Sequence, residues 1–200
     1  MVVKRDILFA QKYFQGFASA KEQNYYDIIN KEYFYISRGE AEHNPQLKQP
    51  IAYCAIVNNN RVFAYQRSKK SSEYKETRLQ GKWSWGIGGH IDKIDEAAKD
   101  PIYTSMMREI DEEIYLPNFK EPKVLGYIND DETDVGQVHF GVLLLINTDV
   151  DEIKPKDQEI AWGGFKSIDE LSEIVADPQQ QVESWSEISL TPLKEILGQF

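Results

Sequence analysis

The part of the sequence that most restricts the fold is residues 88–116, where a glycine pair and a polar loop lead into a patterned helix. Asp100 precedes Pro101, and this pair favours a helix start because aspartate caps the first turn and proline needs no N–H there. We predict that the helix continues to about Ile114. Its predicted core-facing stripe consists of Tyr103, Met106, Met107, Ile110 and Ile114.

The same helix carries three glutamates away from its apolar stripe. At about 100° of rotation per residue, Glu109, Glu112 and Glu113 fall within a sector about 100° wide. Like charges so close destabilise a helix unless a cation compensates them. Hard divalent cations such as Mg²⁺ take oxygen ligands and bridge carboxylates to phosphates, so this face suits a metal and pyrophosphate site. A solvated charged helix face is the alternative interpretation.

Segments rich in β-forming residues flank this helix. Residues 51–57 and 61–67 surround a polar turn and predict a hairpin, and residues 82–89, 123–130 and 136–148 predict further strands. Residues 167–176 and 185–197 have helical spacing, with Ser167 and Asp169 as the two candidate caps of the first helix and Pro192 as a boundary in the second. This order predicts an α/β fold with a mixed sheet between helices.

The glycine pair, Asp100 and the run from Arg108 to Glu113 together resemble the Nudix box. The family pattern is a glycine, five residues, a glutamate, seven residues, Arg-Glu, an apolar residue, any residue, Glu-Glu, any residue, glycine and an apolar residue. This chain keeps the spacing from Asp100 to Glu113. It has ten residues instead of five between Gly89 and Asp100, aspartate in place of the first glutamate, and Tyr115 in place of the last glycine.

The resemblance covers residues 51–171 and implies a Nudix-type α/β/α sandwich. Residues 1–48 would then be an N-terminal elaboration packed on the main domain, and residues 49–200 a Nudix-like domain that includes the C-terminal helices. The implied activity is that of a pyrophosphohydrolase acting on phosphoanhydride bonds. Water would attack phosphorus in a nucleoside diphosphate derivative or related small molecule, with Mg²⁺, or Mn²⁺ in its place, as the cofactor.

The resemblance also implies roles for individual residues. The implied metal ligands are the Gly88 carbonyl oxygen, Glu109, Glu112 and Glu113. Glu109 or a later glutamate would orient the water, and Glu159 matches a downstream metal-binding or base glutamate found in part of the family. A surface glutamate is the alternative for Glu159. Apart from the resemblance, the position of Arg108 on the helix allows it to pair with Glu112 one turn on or with a carboxylate of the preceding loop, and so to hold a ligand in orientation.

A basic loop at residues 67–82 precedes the glycine pair and contains six lysines and arginines. A phosphate substrate needs such groups, so we predict that Arg67, Arg78 or Lys82 clamps the phosphate that is not attacked. A solvated charged loop explains the same residues equally well. His90, directly after the glycine pair, is either a substrate contact, a metal ligand or an ordinary exposed histidine.

Two other functions stay open. Isopentenyl-diphosphate isomerases share the Nudix fold and carry a cysteine and a histidine near this glycine position, but residues 82–90 contain His90 and no cysteine. The cysteine of this chain, Cys54, lies in an apolar run and is predicted to be a buried core residue. A non-catalytic Nudix-like binding module is expected to lose the helix carboxylates, which are all present here.

Charge and composition restrict the partners. The formal net charge of -10 argues against a nucleic-acid polymer or an anionic membrane surface as the main partner. A single cysteine excludes an internal disulfide, and no apolar stretch approaches the roughly 20 residues of a membrane span. We therefore expect a cytoplasmic protein that binds a small-molecule diphosphate. For its oligomeric state, a homodimer is one of the alternatives.

Overall fold

In the computed structural model, residues 1–68, 79–97, 99–156 and 160–198 are described. The strands are β1 (Val3–Lys4), β2 (Gly16–Ser19), β3 (Leu47–Asn58), β4 (Arg61–Arg67), β5 (Trp83–Ser84), β6 (Ile114–Tyr115), β7 (Lys123–Asn129), β8 (His139–Asn147), β9 (Lys154–Pro155) and β10 (Ile160–Ser167). The helices are α1 (Arg5–Leu8), α2 (Tyr25–Glu32), α3 (Arg38–Ala41), α4 (Pro101–Glu113), α5 (Asp134–Val138), α6 (Ile168–Ala176) and α7 (Ser184–Leu197), and a 3₁₀ helix spans Lys93–Ala97.

The main sheet has eight strands. Its order is β10-β4-β3-β8-β7-β2, with β1 paired to β3 and β5 paired to β4, while β6 and β9 form a separate two-stranded ladder. The predicted mixed α/β fold is therefore confirmed. In the part of the chain described, no helix combines the length and the apolar character needed to cross a membrane.

The predicted hairpin is confirmed as the antiparallel pair β3 and β4, in which Val57 lies opposite Val62. Its turn residues Asn59 and Asn60 have φ angles of 47° and 60°. Asparagine tolerates this left-handed conformation better than most residues, and two such residues in succession match the twist of a tight hairpin. The asparagine-rich tip is thus what allows the chain to reverse here.

By their internal packing, the residues divide into two compact units. Unit 1 consists of Met1–Tyr53, Gly88–Arg108 and Val124–Leu144, and unit 2 consists of Cys54–Ile87, Glu109–Lys123 and Leu145–Phe200. The assignment of residues 1–48 as an elaboration of a main domain stays a prediction.

Unit 1 has an aromatic core. The ring of Tyr25 in α2 lies 5.0 Å from that of Tyr127 in β7 and 5.5 Å from that of Phe140 in β8, in edge-to-face geometry. Phe9 and Phe14 pack on the same group. Such pairs add about 0.5–1.5 kcal/mol each beyond their burial. Residues near the N-terminus therefore share one core with the strands of unit 1.

A buried ion cluster also stabilises unit 1. Lys48 in β3 is fully buried, and its Nζ donates to Asp131 Oδ1 and to the Gly136 carbonyl oxygen, each at 2.7 Å. Arg5 donates to both carboxylate oxygens of the same Asp131. Burial lowers the pKa of Lys48 to about 8 despite its pairing with Asp131. Partial burial alone would raise the pKa of Asp131, but hydrogen bonds from Arg5 and Lys48 hold it well below its usual range.

In unit 2, both predicted helices are present. Of the two candidate caps, Ser167 caps α6, in a capping box with Glu170, and Asp169 lies in the first turn. The predicted boundary at Pro192 is wrong, because Pro192 lies inside α7. An interior proline costs roughly 3 kcal/mol, and the tertiary packing of α7 offsets that cost. Trp85 donates through Nε1 to Ser189 Oγ at 2.9 Å, and four further residues of α7, Ser186, Pro192, Leu193 and Leu197, are buried.

Candidate functional site

Helix α4 starts where the sequence predicts. Asp100 Oδ1 accepts a hydrogen bond from the backbone N–H of Tyr103 at 3.1 Å, so Asp100 caps the helix. The hydroxyl of Tyr26 donates to the same carboxylate, at 2.8 and 2.7 Å from its two oxygens. Burial raises the pKa of Tyr26, and the hydrogen bond to Asp100 is the second cause of the same increase. The aspartate at the position of the first glutamate of the box is therefore a helix cap.

The buried face of α4 differs slightly from the predicted stripe. Met106, Ile110 and Ile114 are buried as predicted. Tyr103 is 39% exposed, and Ile102 is fully buried in its place. The prediction for Tyr103 was wrong because residues 102, 106 and 110 follow one another at intervals of four along the helix, which centres the buried face closer to residue 102.

The three predicted metal-binding glutamates lie in the last turn and a half of α4. Glu109 and Glu113 are half-buried and Glu112 is exposed. Residues three and four apart are neighbours on a helix surface, so the three carboxylates can serve one cation. They offer only oxygen donors, which is the ligand chemistry that Mg²⁺ requires. The assignment of these residues as metal ligands stays a prediction.

Tyr115 occupies the position of the glycine that ends the family pattern. Here α4 continues directly into β6, and Tyr115 pairs in antiparallel register with Lys154 of β9. The backbone N–H of Lys156 donates to the carbonyl of Glu113 at 2.8 Å. Because the chain leaves α4 as an extended strand, it needs no glycine at position 115. The departure from the family pattern therefore follows from the way this helix ends.

Arg108 connects α4 to the loop that precedes it. Its Nε lies 3.1 Å from Asp95 Oδ1 and its Nη2 lies 3.0 Å from Asp95 Oδ2, a two-point pairing with a buried carboxylate. Nη2 also donates to the carbonyl of His90 at 3.0 Å. Of the two partners predicted for Arg108, the carboxylate of the preceding loop is confirmed. The sequence did not single out Asp95, which lies in the lengthened loop.

Gly88 lies too close to β3 for any side chain. A Cβ at this position would be 1.7 Å from the carbonyl oxygen of Ala52. The surrounding segment pairs with β3 through bridges between Cys54 and Ile87 and between Ile51 and His90. The close approach of two backbones explains why glycine stands here. A role for the Gly88 carbonyl as a metal ligand stays a prediction.

Two of the three residues predicted to contact phosphate, Arg67 and Lys82, differ from each other in their surroundings. Arg67 is only 11% exposed, donates to Glu183 and lies over the ring of Tyr65. Glu183 also accepts from Ser84 Oγ at 3.0 Å. Lys82 is half-buried, and its carbonyl accepts from the N–H of Arg67. Arg78 and Glu159 lie outside the described residues.

His90 lies in a cluster that the sequence did not reveal. Its Nε2 is 3.0 Å from Nε2 of His139, and Glu42 Oε1 is 3.6 Å from the first nitrogen and 3.8 Å from the second. Burial lowers the pKa of His139 to about 4, and the neighbouring His90 side chain is the main cause that lowers the pKa of Glu42 to about 2. The three residues lie far apart in the chain, so no local spacing points to them.

Some known proteins resemble this chain along nearly its full length. No family model matches the chain. Protein YmaB of Bacillus subtilis (strain 168) is 32% identical over 197 residues, which cover 94% of this chain and 93% of that protein. The crystal structure of Tm1382, a candidate Nudix hydrolase, superposes with a TM-score of 0.78 at 28% identity, covering 100% of this chain and 98% of that one.

A more distant structure shares the fold. The Nudix domain of Shewanella oneidensis NrtR, solved in complex with ADP ribose, has a TM-score of 0.56 at 13% identity and covers 81% of this chain and 99% of that one. At this identity the match shows the fold alone.

Proposed function

This chain belongs to the Nudix superfamily, and we propose that it is a Mg²⁺-dependent hydrolase of a diphosphate linkage in a nucleoside diphosphate derivative or a related small molecule. The observation that carries the proposal is on α4, where Glu109, Glu112 and Glu113 follow directly after Arg108, itself anchored on Asp95. A helix held at its preceding loop can present three carboxylates in a constant geometry.

In the proposed site, Glu109, Glu112, Glu113 and the Gly88 carbonyl oxygen hold the cation, and Mn²⁺ can replace Mg²⁺ because both accept oxygen ligands. When bound, the cation neutralises the charge of the diphosphate and makes water a better nucleophile near neutral pH.

Individual side chains of this protein carry out the remaining parts of the proposed reaction. Glu109 or Glu159 orients the water and accepts its proton as the water oxygen bonds to one phosphorus. The bond from that phosphorus to the bridging oxygen breaks, which leaves two phosphate-bearing products. Arg108 holds the loop that begins at His90. Since Arg67 already pairs with Glu183, the contact to the phosphate that is not attacked falls to Arg78 or Lys82.

The isomerase alternative has no support in the described residues. Cys54 is fully buried in β3, and burial raises the pKa of its thiol. Cys54 is the single cysteine of the full sequence, so no other thiol can serve as the acid of such an enzyme. A proton-transferring isomerase of that type would therefore need a different group.

The test is turnover of a substrate panel by the full-length chain. The panel contains ADP ribose, nucleoside diphosphate sugars, dinucleotides and nucleoside triphosphates, each with and without Mg²⁺, from pH 7 to about 9.5, where hydrolases that use ionised water work best. We expect release of phosphate-bearing products that stops on chelation and returns with Mg²⁺ or Mn²⁺. Binding without turnover at any pH would instead establish a non-catalytic binding module.

A further inference from the structure

Two histidines and a glutamate bring their ligand atoms together within unit 1. Nε2 of His90, Nε2 of His139 and Oε1 of Glu42 all lie within 4.8 Å of one another. We propose that these three residues form a second metal site, which takes a first-row transition-metal dication such as Zn²⁺ and uses none of the glutamates of α4.

The orientation of His139 supports metal binding. Its Nδ1 lies 2.6 Å from the carbonyl oxygen of Val135. A carbonyl can only accept, so Nδ1 carries the hydrogen and Nε2 is left with a lone pair directed at His90 and Glu42. Histidine ligands of metals are usually held in this way, with the second ring nitrogen donating to a carbonyl or carboxylate. His139 is 7% exposed as a side chain, so the ring is also confined by its neighbours.

The spacing of the three ligand atoms fits a small cation. Zn²⁺ binds imidazole nitrogen and carboxylate oxygen at about 2.0–2.2 Å, so neighbouring ligands of a tetrahedral ion lie roughly 3.3–3.5 Å apart. The three observed separations are 3.0, 3.6 and 3.8 Å. They lie on both sides of the tetrahedral value, and shifts of about half an ångström would bring all three atoms to it.

The donor atoms select the metal. Two neutral imidazoles and one carboxylate suit Zn²⁺ and its transition-metal neighbours, whereas Mg²⁺ prefers oxygen ligands. Three protein ligands leave one coordination position open, as in zinc sites that bind a further molecule. His90 and Gln49 also line a cavity of about 460 Å³, which provides an entry path for the ion.

Separate elements of unit 1 hold the three ligands. Glu42 follows α3 directly, and His139 is the first residue of β8. The carbonyl of His90 accepts hydrogen bonds from Arg108 at 3.0 Å and from Ser105 at 3.3 Å. The loop that Arg108 anchors therefore also fixes the backbone of one proposed ligand.

Two groups oppose a cation here: Gln49, whose Nε2 lies 3.3 Å from Nε2 of His139, and Arg38. The Nε of Arg38 lies 3.3 Å from the same Glu42 oxygen. A carboxylate oxygen can serve two partners, and the Arg38 side chain is 54% exposed, so it can turn toward water. The competing arrangement contains no metal: His90 donates from Nε2 to His139, and Glu42 pairs with Arg38. Metal content distinguishes the two arrangements.

The test measures metal binding by the full-length chain after treatment with a chelator and dialysis against Zn²⁺ in excess Mg²⁺. We expect one Zn²⁺ per chain, and with Co²⁺ a visible absorption band typical of nitrogen and oxygen ligands at low coordination number. His90→Ala and His139→Ala should each weaken Zn²⁺ binding by more than the roughly 10- to 100-fold that loss of an outer partner costs. Circular dichroism shows whether each variant is folded.

The chain offers matched controls. His43, the third histidine, is exposed on the helical turn beside Glu42, and Glu40 is exposed in α3. His43→Ala and Glu40→Gln should keep the bound Zn²⁺, and so should Glu112→Gln on α4, while Glu42→Gln should lose affinity. Equal Zn²⁺ content in the wild type and in a folded His90→Ala/His139→Ala variant would overturn the proposal. Because the readout is metal content, this result does not depend on whether the hydrolase proposal holds.

Discussion

Arg108 and Asp95 form a two-point ion pair, with Nε 3.1 Å from Oδ1 and Nη2 3.0 Å from Oδ2. Asp95 lies in the loop that is longer than the family pattern, and Arg108 belongs to the part of the box that keeps the pattern. The pair therefore fixes the lengthened loop to the segment of α4 that keeps the family spacing. The hydrogen bond from Arg108 to the His90 carbonyl also supports the cluster of Glu42, His90 and His139.

Replacing Arg108 with lysine should destabilise the fold. Lysine cannot reproduce the planar two-point geometry, and Asp95 is nearly fully buried. Breaking a buried pair costs about 3–5 kcal/mol when one partner is removed, and we expect about 2–3 kcal/mol because lysine keeps the charge. Urea unfolding measures the loss. The control is Lys156→Ala, which breaks an exposed pair with Asp111 and should cost under about 1 kcal/mol. Equal losses would contradict the role of Arg108.

Glu112→Gln and Glu113→Gln should abolish most turnover while leaving the fold intact. Each change removes a charge from the proposed cation site and keeps the shape of the side chain, so we expect a loss of about 10²–10⁴-fold in kcat. Asp111→Asn is the control on the same helix, since Asp111 is exposed and pairs with Lys156. A fully active Glu112→Gln and Glu113→Gln pair would show that the metal ligands lie elsewhere.

Asp131→Asn should remove an acid-sensitive part of the stability. The folded pKa of Asp131 lies below its usual value of about 3.9, so its ionised form stabilises the fold fully above that value and ever less as the pH falls below it. At pH 7 the variant leaves the buried Lys48 without its counter-charge, which should cost about 3 kcal/mol.

Urea unfolding of wild type and Asp131→Asn at pH 7 and at pH 3 checks this prediction. The difference in free energy of unfolding should be smaller at pH 3. Glu132→Gln, at the exposed neighbouring residue, should change stability by no more than about 0.5 kcal/mol at either pH. A difference in free energy of unfolding that is larger at pH 3 than at pH 7 would contradict the prediction.

Gly88→Ala should prevent normal pairing of this segment with β3. The added Cβ would meet backbone, 1.7 Å from the Ala52 carbonyl oxygen, and backbone cannot turn aside as a flexible side chain can. Overpacking of this kind costs 1–3 kcal/mol in ordinary cores, and we expect about 3 kcal/mol or more here. Gly164→Ala is the control, because nothing lies within 4 Å of its Cβ position. Thermal unfolding of the two variants should therefore differ clearly.

The sequence determined the features that depend on near neighbours. The cap at Asp100, the start of α4 at Pro101 and the asparagine turn between β3 and β4 were all predictable, because capping bonds and left-handed turns form within a few residues. The capping box at Ser167 is of the same kind. The spacing from Asp100 to Glu113 likewise carried the family resemblance.

Only the tertiary structure decided which residues meet across the chain. It selected Asp95 as a partner of Arg108, let α7 pass through Pro192, and centred the buried face of α4 nearer to Ile102. It also brought together Glu42, His90 and His139, which are separated by 48 and 49 positions in the chain. Contacts between distant residues depend on how whole elements pack, and neither helical period nor local propensity carries that information.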